Sequence, residues 1–200
     1  MAFDFKYNLG VVENSVASLD YERYSALRED CLSALHAGRK IIVSGLGKNV
    51  PVCEKFVSSM RSVGLEAEFL HTSEAFHGDL GMVKEGDVVI ILSKSGKTPE
   101  SLLLADKLRT KRRVILWAFT FEYGTDLSDR VNNAIVLSLE QEGGPWNIMP
   151  MNSTVVSLFI LQGLIIDLVN AMGIKLSDFK TNHPGGGIGK KLQAENAERP

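Results

Sequence analysis

The chain has 200 residues, 44% hydrophobic and 23% charged, a length and balance that suit one soluble globular domain with a substantial core. Its 22 basic and 24 acidic residues leave a formal net charge of −2, which argues against the basic face of a nucleic-acid binder. Two cysteines, Cys31 and Cys53, lack CxxC spacing; they read as buried free thiols of a reducing compartment rather than a disulfide or metal site.

The first ten residues lack the basic start and apolar core of a signal peptide. Residues 1–37 form an N-terminal helical segment. Leu9, Val12, Val16, Leu19, Leu27 and Leu35 supply its apolar face, as one long helix or two short ones. A strand (IIVS) lies within 39–44, followed by the turn Gly45-Leu46-Gly47-Lys48-Asn49 and a helix from Val50 to Val63, with Pro51 in its first turn. Strands follow at Glu66–Leu70 and Val88–Leu92, the latter apolar throughout, as a strand buried on both faces should be. Thr98 and Pro99 open a helix running to Lys111. The basic run Lys111-Arg112-Arg113 then reads as a solvated helix end. Val114–Phe119 and Ala134–Leu139 are the last two strands, and Asn152 or Ser153 can cap a long helix, Thr154–Met172. Ser157, Gln162, Asp167 and Asn170 make that helix too polar for a membrane span, so it reads as a core helix. Residues 178–200 are glycine-rich and then polar, with 190–200 a candidate for disorder.

Strands alternating with helices at βαβ spacing imply an α/β fold, a five-stranded parallel sheet with helices on both faces, in one domain over 1–200. Ligands in such folds bind beyond the C-terminal strand ends. The loops at 45–49, 93–98 and 140–145 each follow a strand and should converge there.

Ser93-Lys94-Ser95-Gly96-Lys97-Thr98 pairs hydroxyls and lysines with a glycine at a helix start, where free backbone N–H groups favour an anion such as phosphate. It is not an ATP loop, because Ile91 stands where the first glycine of G-x-x-x-x-G-K-[ST] would be. Lys48 is placed to contact substrate oxygens and stabilise developing negative charge. Proton-transfer candidates are His71, His77, Glu100, Glu142 and His183. Buried beside a ligand, Glu142 would have its pKa raised toward a useful base; otherwise it is a solvated loop glutamate. Glu100 also suits a helix N-terminus as a plain dipole-stabilising acid. His71 and His77 match no strong metal pattern, so no metal and no cofactor are expected.

The stretch His71–Glu100, HTSEAFHGDLGMVKEGDVVIILSKSGKTPE, together with Gly45-Leu46-Gly47-Lys48 and His183-Pro184-Gly185-Gly186, resembles the sugar isomerase (SIS) domain family, and within it the arabinose-5-phosphate isomerases. The resemblance implies a three-layer αβα sandwich that assembles as a homodimer or homotetramer in the cytoplasm. It implies interconversion of D-arabinose 5-phosphate and D-ribulose 5-phosphate through a cis-enediol. It puts phosphate on Ser93, Ser95 and Thr98, with Gly47, Asn49, Gly96 and Lys97 completing the binding loops. Lys48, Glu100, Glu142 and His183 fall on the family's functional positions, and His77 is the histidine of HGDLG. Glu142 is cast as the C–H base, while His77 and His183 open the ring and shuttle protons between O1 and O2. In such folds a neighbouring subunit can supply some of these groups. The chain departs from the family at Asn49-Val50, at Lys94 and Lys97, and at Met151-Asn152, and it ends before paired CBS domains could begin. A phosphosugar-binding regulatory module without catalysis is the alternative reading. Neither nucleic acid nor membrane is expected as a partner.

Overall fold

The computed structural model describes residues 3–111 and 113–197. Two helices lead, α1 (Phe5–Ala17) and α2 (Tyr21–His36). Each is started by an aspartate. Asp4 accepts from the Tyr7 amide, and Asp20 from those of Glu22 and Arg23. The N-terminal apolar pattern therefore resolves into two helices.

The five strands are β1 (Ile41–Gly45), β2 (Ala67–His71), β3 (Val88–Leu92), β4 (Ile115–Thr120) and β5 (Asn133–Val136). All pair in parallel, in the order β2-β1-β3-β4-β5. β1 and β3 are central and wholly buried. Alternate strand residues feed two cores. Ile41, Val43, Ile90, Leu92, Trp117 and Phe119 face one; Ile42, Val89, Ile91, Leu116 and Ala118 face the other. The first core is covered by α1, α2, α3 (Asn49–Ser62) and α5 (Asn152–Ala171). The second is covered by α4 (Pro99–Lys111) and two short 3-10 turns, Glu74–His77 and Asp79–Met82. This is the expected three-layer sandwich.

Among the described residues, α5 alone is long and apolar enough to cross a membrane. Nine of its residues are buried, and it packs on α1, α2 and α3 as a core helix.

Two expectations change. Asn152 and Ser153 do not cap α5: both are already helical, and neither side chain makes a capping bond. The Glu142 carboxylate takes that role from ten residues upstream. The glycine-rich C-terminal stretch forms α6 (Leu176–Asn182) and α7 (Gly186–Ala197), so 190–197, part of the candidate for disorder, is helical. Past its glycines, α7 consists of Lys, Leu, Gln, Ala and Glu, all strong helix formers, apart from Asn196. The rest of the expected tail, 198–200, and Arg112 of the basic run lie outside the described residues.

Candidate active site

Strand order reverses between β1 and β3, since β1 leads to β2 on one side and the chain returns as β3 on the other. Such a switch point opens a crevice at the C-terminal strand ends. The loops after β1 and β3 flank it, and Asn49 Nδ2 donates to the Leu92 carbonyl at 3.2 Å, tying one to the other. Asn49 stands where the family carries a hydroxyl, and its amide is used for this bond.

The Ser93–Thr98 loop is held by its own backbone. The Gly96 amide donates to the Ser93 carbonyl at 3.1 Å, and the Ser93 and Thr98 hydroxyls lie 3.1 Å apart. Gly96 has φ +60°, and a Cβ there would fall 2.3 Å from Thr125 Oγ1, so only glycine fits. Among the described residues, the Ser95 and Thr98 amides find no protein acceptor. With α4 starting at Pro99, the loop presents free donors at a helix N-terminus, which is what an anion needs.

Three proton-handling or charged candidates are unengaged. Lys48 precedes α3 and borders a groove with Pro51, Pro150 and Thr154. Glu100 is exposed in the first turn of α4. His77 is exposed at the end of the first 3-10 turn, on the side of edge strand β2. Among the described residues, none of these side chains makes a hydrogen bond or ion pair.

Glu142 is the opposite case. Its side chain is fully buried. One oxygen, Oε2, accepts from the Met151 and Ser153 amides at 2.9 and 3.0 Å, closing the N-terminus of α5. The other, Oε1, lies 2.7 Å from Lys94 Nζ, a side chain 40% exposed. That contact is an ion pair without good hydrogen-bond angles, so Oε1 has no other partner. The Glu142 amide donates to Asn147 Oδ1 at 2.6 Å, and Asn147 sits at φ 51° to reach it. Burial alone pushes the Glu142 carboxyl up, but Lys94 and the Ser153 and Met151 amides outweigh it, and the net direction is below the ordinary carboxylate value. In the free chain the shift is therefore downward, because burial of Glu142 comes with these donors.

Both lysines added to the anion loop have acidic partners: Lys94 with Glu142, and Lys97 with Glu122 at 3.0 Å. The loop thus gains less positive charge than its sequence suggests.

His183 lies apart from the rest. Its ring stacks on Phe179 at 3.9 Å, and Nδ1 sits 2.8 Å from the Phe179 carbonyl. Its neighbour Asn182 donates to the Ser62 carbonyl at the C-terminal end of α3. Lys48 precedes the N-terminal end of that 14-residue helix, so His183 is about 20 Å from Lys48 within one chain. His71 ends β2 with its buried Nδ1 unpartnered, under the edge of Phe69.

Sequence reasoning missed the brace behind Glu142. Asn152 Nδ2 donates to Asn8 Oδ1 at 2.9 Å and to the Gln141 carbonyl at 3.1 Å, and Tyr7 donates to Glu140 at 2.5 Å. Gly143 has φ +85°, and a Cβ there would fall 2.1 Å from Asn8 Oδ1. Helix α1 therefore clamps the Glu142 loop. Nothing in the sequence around Asn8 signals this, since the partners are more than 130 residues apart. Beside the clamp, a mainly apolar groove of about 520 Å³ is lined by Phe3, Tyr7, Gln141, Gly144, Met149 and Met151; it is separate from the anion loop.

The sequence matches the SIS domain over residues 34–166, two thirds of its length. The chain belongs to the SIS domain family. Among relatives of this SIS domain, the arabinose 5-phosphate isomerase GutQ of Salmonella typhimurium is 35% identical over 158 residues, which is 79% of this chain and 49% of GutQ. An uncharacterised Helicobacter pylori protein is 37% identical over 161 residues, 80% of this chain and 49% of its own. The chain thus spans about half the length of the curated relatives it matches. Among solved structures, c3406 of E. coli CFT073, in complex with arabinose 5-phosphate, superposes with a TM-score of 0.82 at 29% identity, covering 90% of this chain and 94% of that one.

Proposed function

We propose that this SIS domain is a phosphosugar aldose–ketose isomerase, acting on D-arabinose 5-phosphate and D-ribulose 5-phosphate. The observation that carries the reading is the meeting of a donor-rich anion loop with a buried carboxylate: Lys94, inside the loop, touches Glu142 at 2.7 Å. The likeness to GutQ and to the arabinose 5-phosphate complex of c3406 supports the same substrate class.

In this reading Ser93, Ser95, Gly96, Lys97 and Thr98 hold the phosphate, with Gly47 and Asn49 shaping the facing loop. Glu142 removes the proton from C2 of the open-chain aldose. The C–H electron pair becomes the C1–C2 double bond, and O1 takes a proton to give the cis-enediol. Return of a proton to C1, with loss of the O2 proton as C2=O forms, yields the ketose. Lys48 stabilises charge on the oxygens as it develops. Glu100, on the rim, and His77 handle the oxygen-bound protons. His183 joins from a second copy of the chain, because it lies about 20 Å from Lys48 in its own. The working form is then a homodimer or homotetramer, and the compartment the reducing cytoplasm, which the two buried free thiols suit.

The test is conversion. Given D-arabinose 5-phosphate, the protein should form the ketopentose phosphate, followed by proton NMR. Saturable binding without conversion would favour the regulatory reading, and absence of binding would remove both.

A further inference from the structure

Lys94 does something the anion loop alone does not need. Its backbone is fixed, the Lys94 carbonyl accepting from the Phe121 amide at 2.9 Å, while its side chain is 40% exposed. Its ammonium lies on the buried Oε1 of Glu142, the one carboxylate oxygen not committed to the α5 N-terminus. An anion held on the Ser93–Thr98 loop would sit within reach of the same ammonium, since Lys94 belongs to that loop. One cation thus has two competing anionic partners, only one of which is always present.

We propose that Lys94 is a substrate-operated counter-ion, which shields Glu142 in the free protein and transfers its ammonium to the phosphate when a phosphosugar binds, freeing Oε1 as the base. The proposal rests on the isomerase reading for the role of Glu142, and it goes beyond it by assigning Lys94 a positioning role. Losing the ammonium leaves a buried carboxylate with a bare oxygen, which raises its basicity at the moment a base is needed. Without ligand, the ion pair keeps Glu142 ionised and unreactive.

The surroundings leave Lys94 as the group that can do this. The first turn of α5 holds no acid. From α1, Asp4 and Tyr7 face the same loop, but Asp4 caps α1 and Tyr7 is bonded to Glu140. Lys48 approaches from beyond Pro150 and Thr154, and it makes no ion pair with Glu142.

The experiment is a carboxyl titration. The full chain is labelled with 13C at glutamate Cδ, and the Glu142 signal, assigned with Glu142→Gln, is followed against pH with and without saturating sulfate or arabinose 5-phosphate. Sulfate stays a dianion throughout and needs no turnover. The free wild-type protein should titrate low, and either anion should raise the midpoint by about one pH unit. In Lys94→Asn the midpoint should start high and move little on anion binding, while Lys94→Arg should restore the wild-type pattern. The acid limb of the kcat/KM profile should move up in Lys94→Asn by a similar amount. Anion binding that leaves the Glu142 midpoint in place overturns the switch alone, as does a Lys94→Asn midpoint equal to wild type. Absence of anion binding removes the phosphate site, and the switch with it. A working switch without isomerisation of any phosphosugar would overturn the isomerase reading and leave the linkage between Lys94 and the anion standing.

Discussion

Lys48 and His183 lie at opposite ends of α3, one preceding its first residue and the other held beside its last turn through Asn182 and Ser62. The proposed site uses both, and so draws His183 from a second copy of the chain. Glu142→Gln and His183→Ala should each be inactive alone. Mixed and reassembled as dimers, they should recover about a quarter of wild-type activity, because half the dimers are mixed and each carries one intact site. Activity is read on the mixture after subunit exchange. Recovery absent despite proven exchange would place His183 and Glu142 in the same protomer's site.

The Glu142 carboxylate also holds the fold. Glu142→Ala strips two amides at the α5 N-terminus of their acceptor and should cost about 2 kcal/mol, seen in urea unfolding. The pH dependence gives a sharper readout. Glu142 titrates below its ordinary value of 4.5, so its ionised contribution is complete above that value and is lost as pH falls through the lower folded value. The stability gap between wild type and Glu142→Gln should therefore narrow only below about pH 4.5. A gap constant with pH would mean the cap does not depend on charge.

Gly96→Ala combines a left-handed backbone with a contact of 2.3 Å against Thr125 Oγ1. It should destabilise the chain by about 1–3 kcal/mol and weaken anion binding at least tenfold, measured by thermal unfolding and sulfate titration. Near-normal binding would show that the loop shape matters less than its hydroxyls.

Much of this architecture was legible because it is periodic or local. The apolar run of β3, the two loops flanking the switch point and the glycine in Ser93–Thr98 are all written in neighbouring residues. The Lys94–Glu142 pair was not, because it joins residues 48 apart whose loops meet only once the sheet forms. The downward shift of Glu142 in the free chain was hidden for the same reason. Burial can be guessed from a strand-end glutamate, but the donors come from Lys94, Met151 and Ser153. The position of His183 was equally hidden, since the HPGG motif carries chemistry and no address.

The clamp from α1 yields a prediction of its own. Asn8 is buried and bonded to Asn152, so Asn8→Ala should cost about 1–3 kcal/mol by leaving one N–H of the buried Asn152 amide without its acceptor. It should also lower kcat more than it raises KM, since Asn8 supports the Glu142 loop and lies away from the anion loop. A change confined to KM would contradict that division.

In the proposed mechanism, Glu142 removes a carbon-bound proton from a phosphosugar. The most direct measurement incubates the protein with a panel of pentose and hexulose phosphates in heavy water and follows deuterium at C1 and C2 by NMR. Deuterium should enter with D-arabinose 5-phosphate in the wild-type protein. In Glu142→Gln entry should stop while sulfate still binds. Full occupancy by every phosphosugar with no exchange, or wild-type exchange in Glu142→Gln, would contradict that role for Glu142.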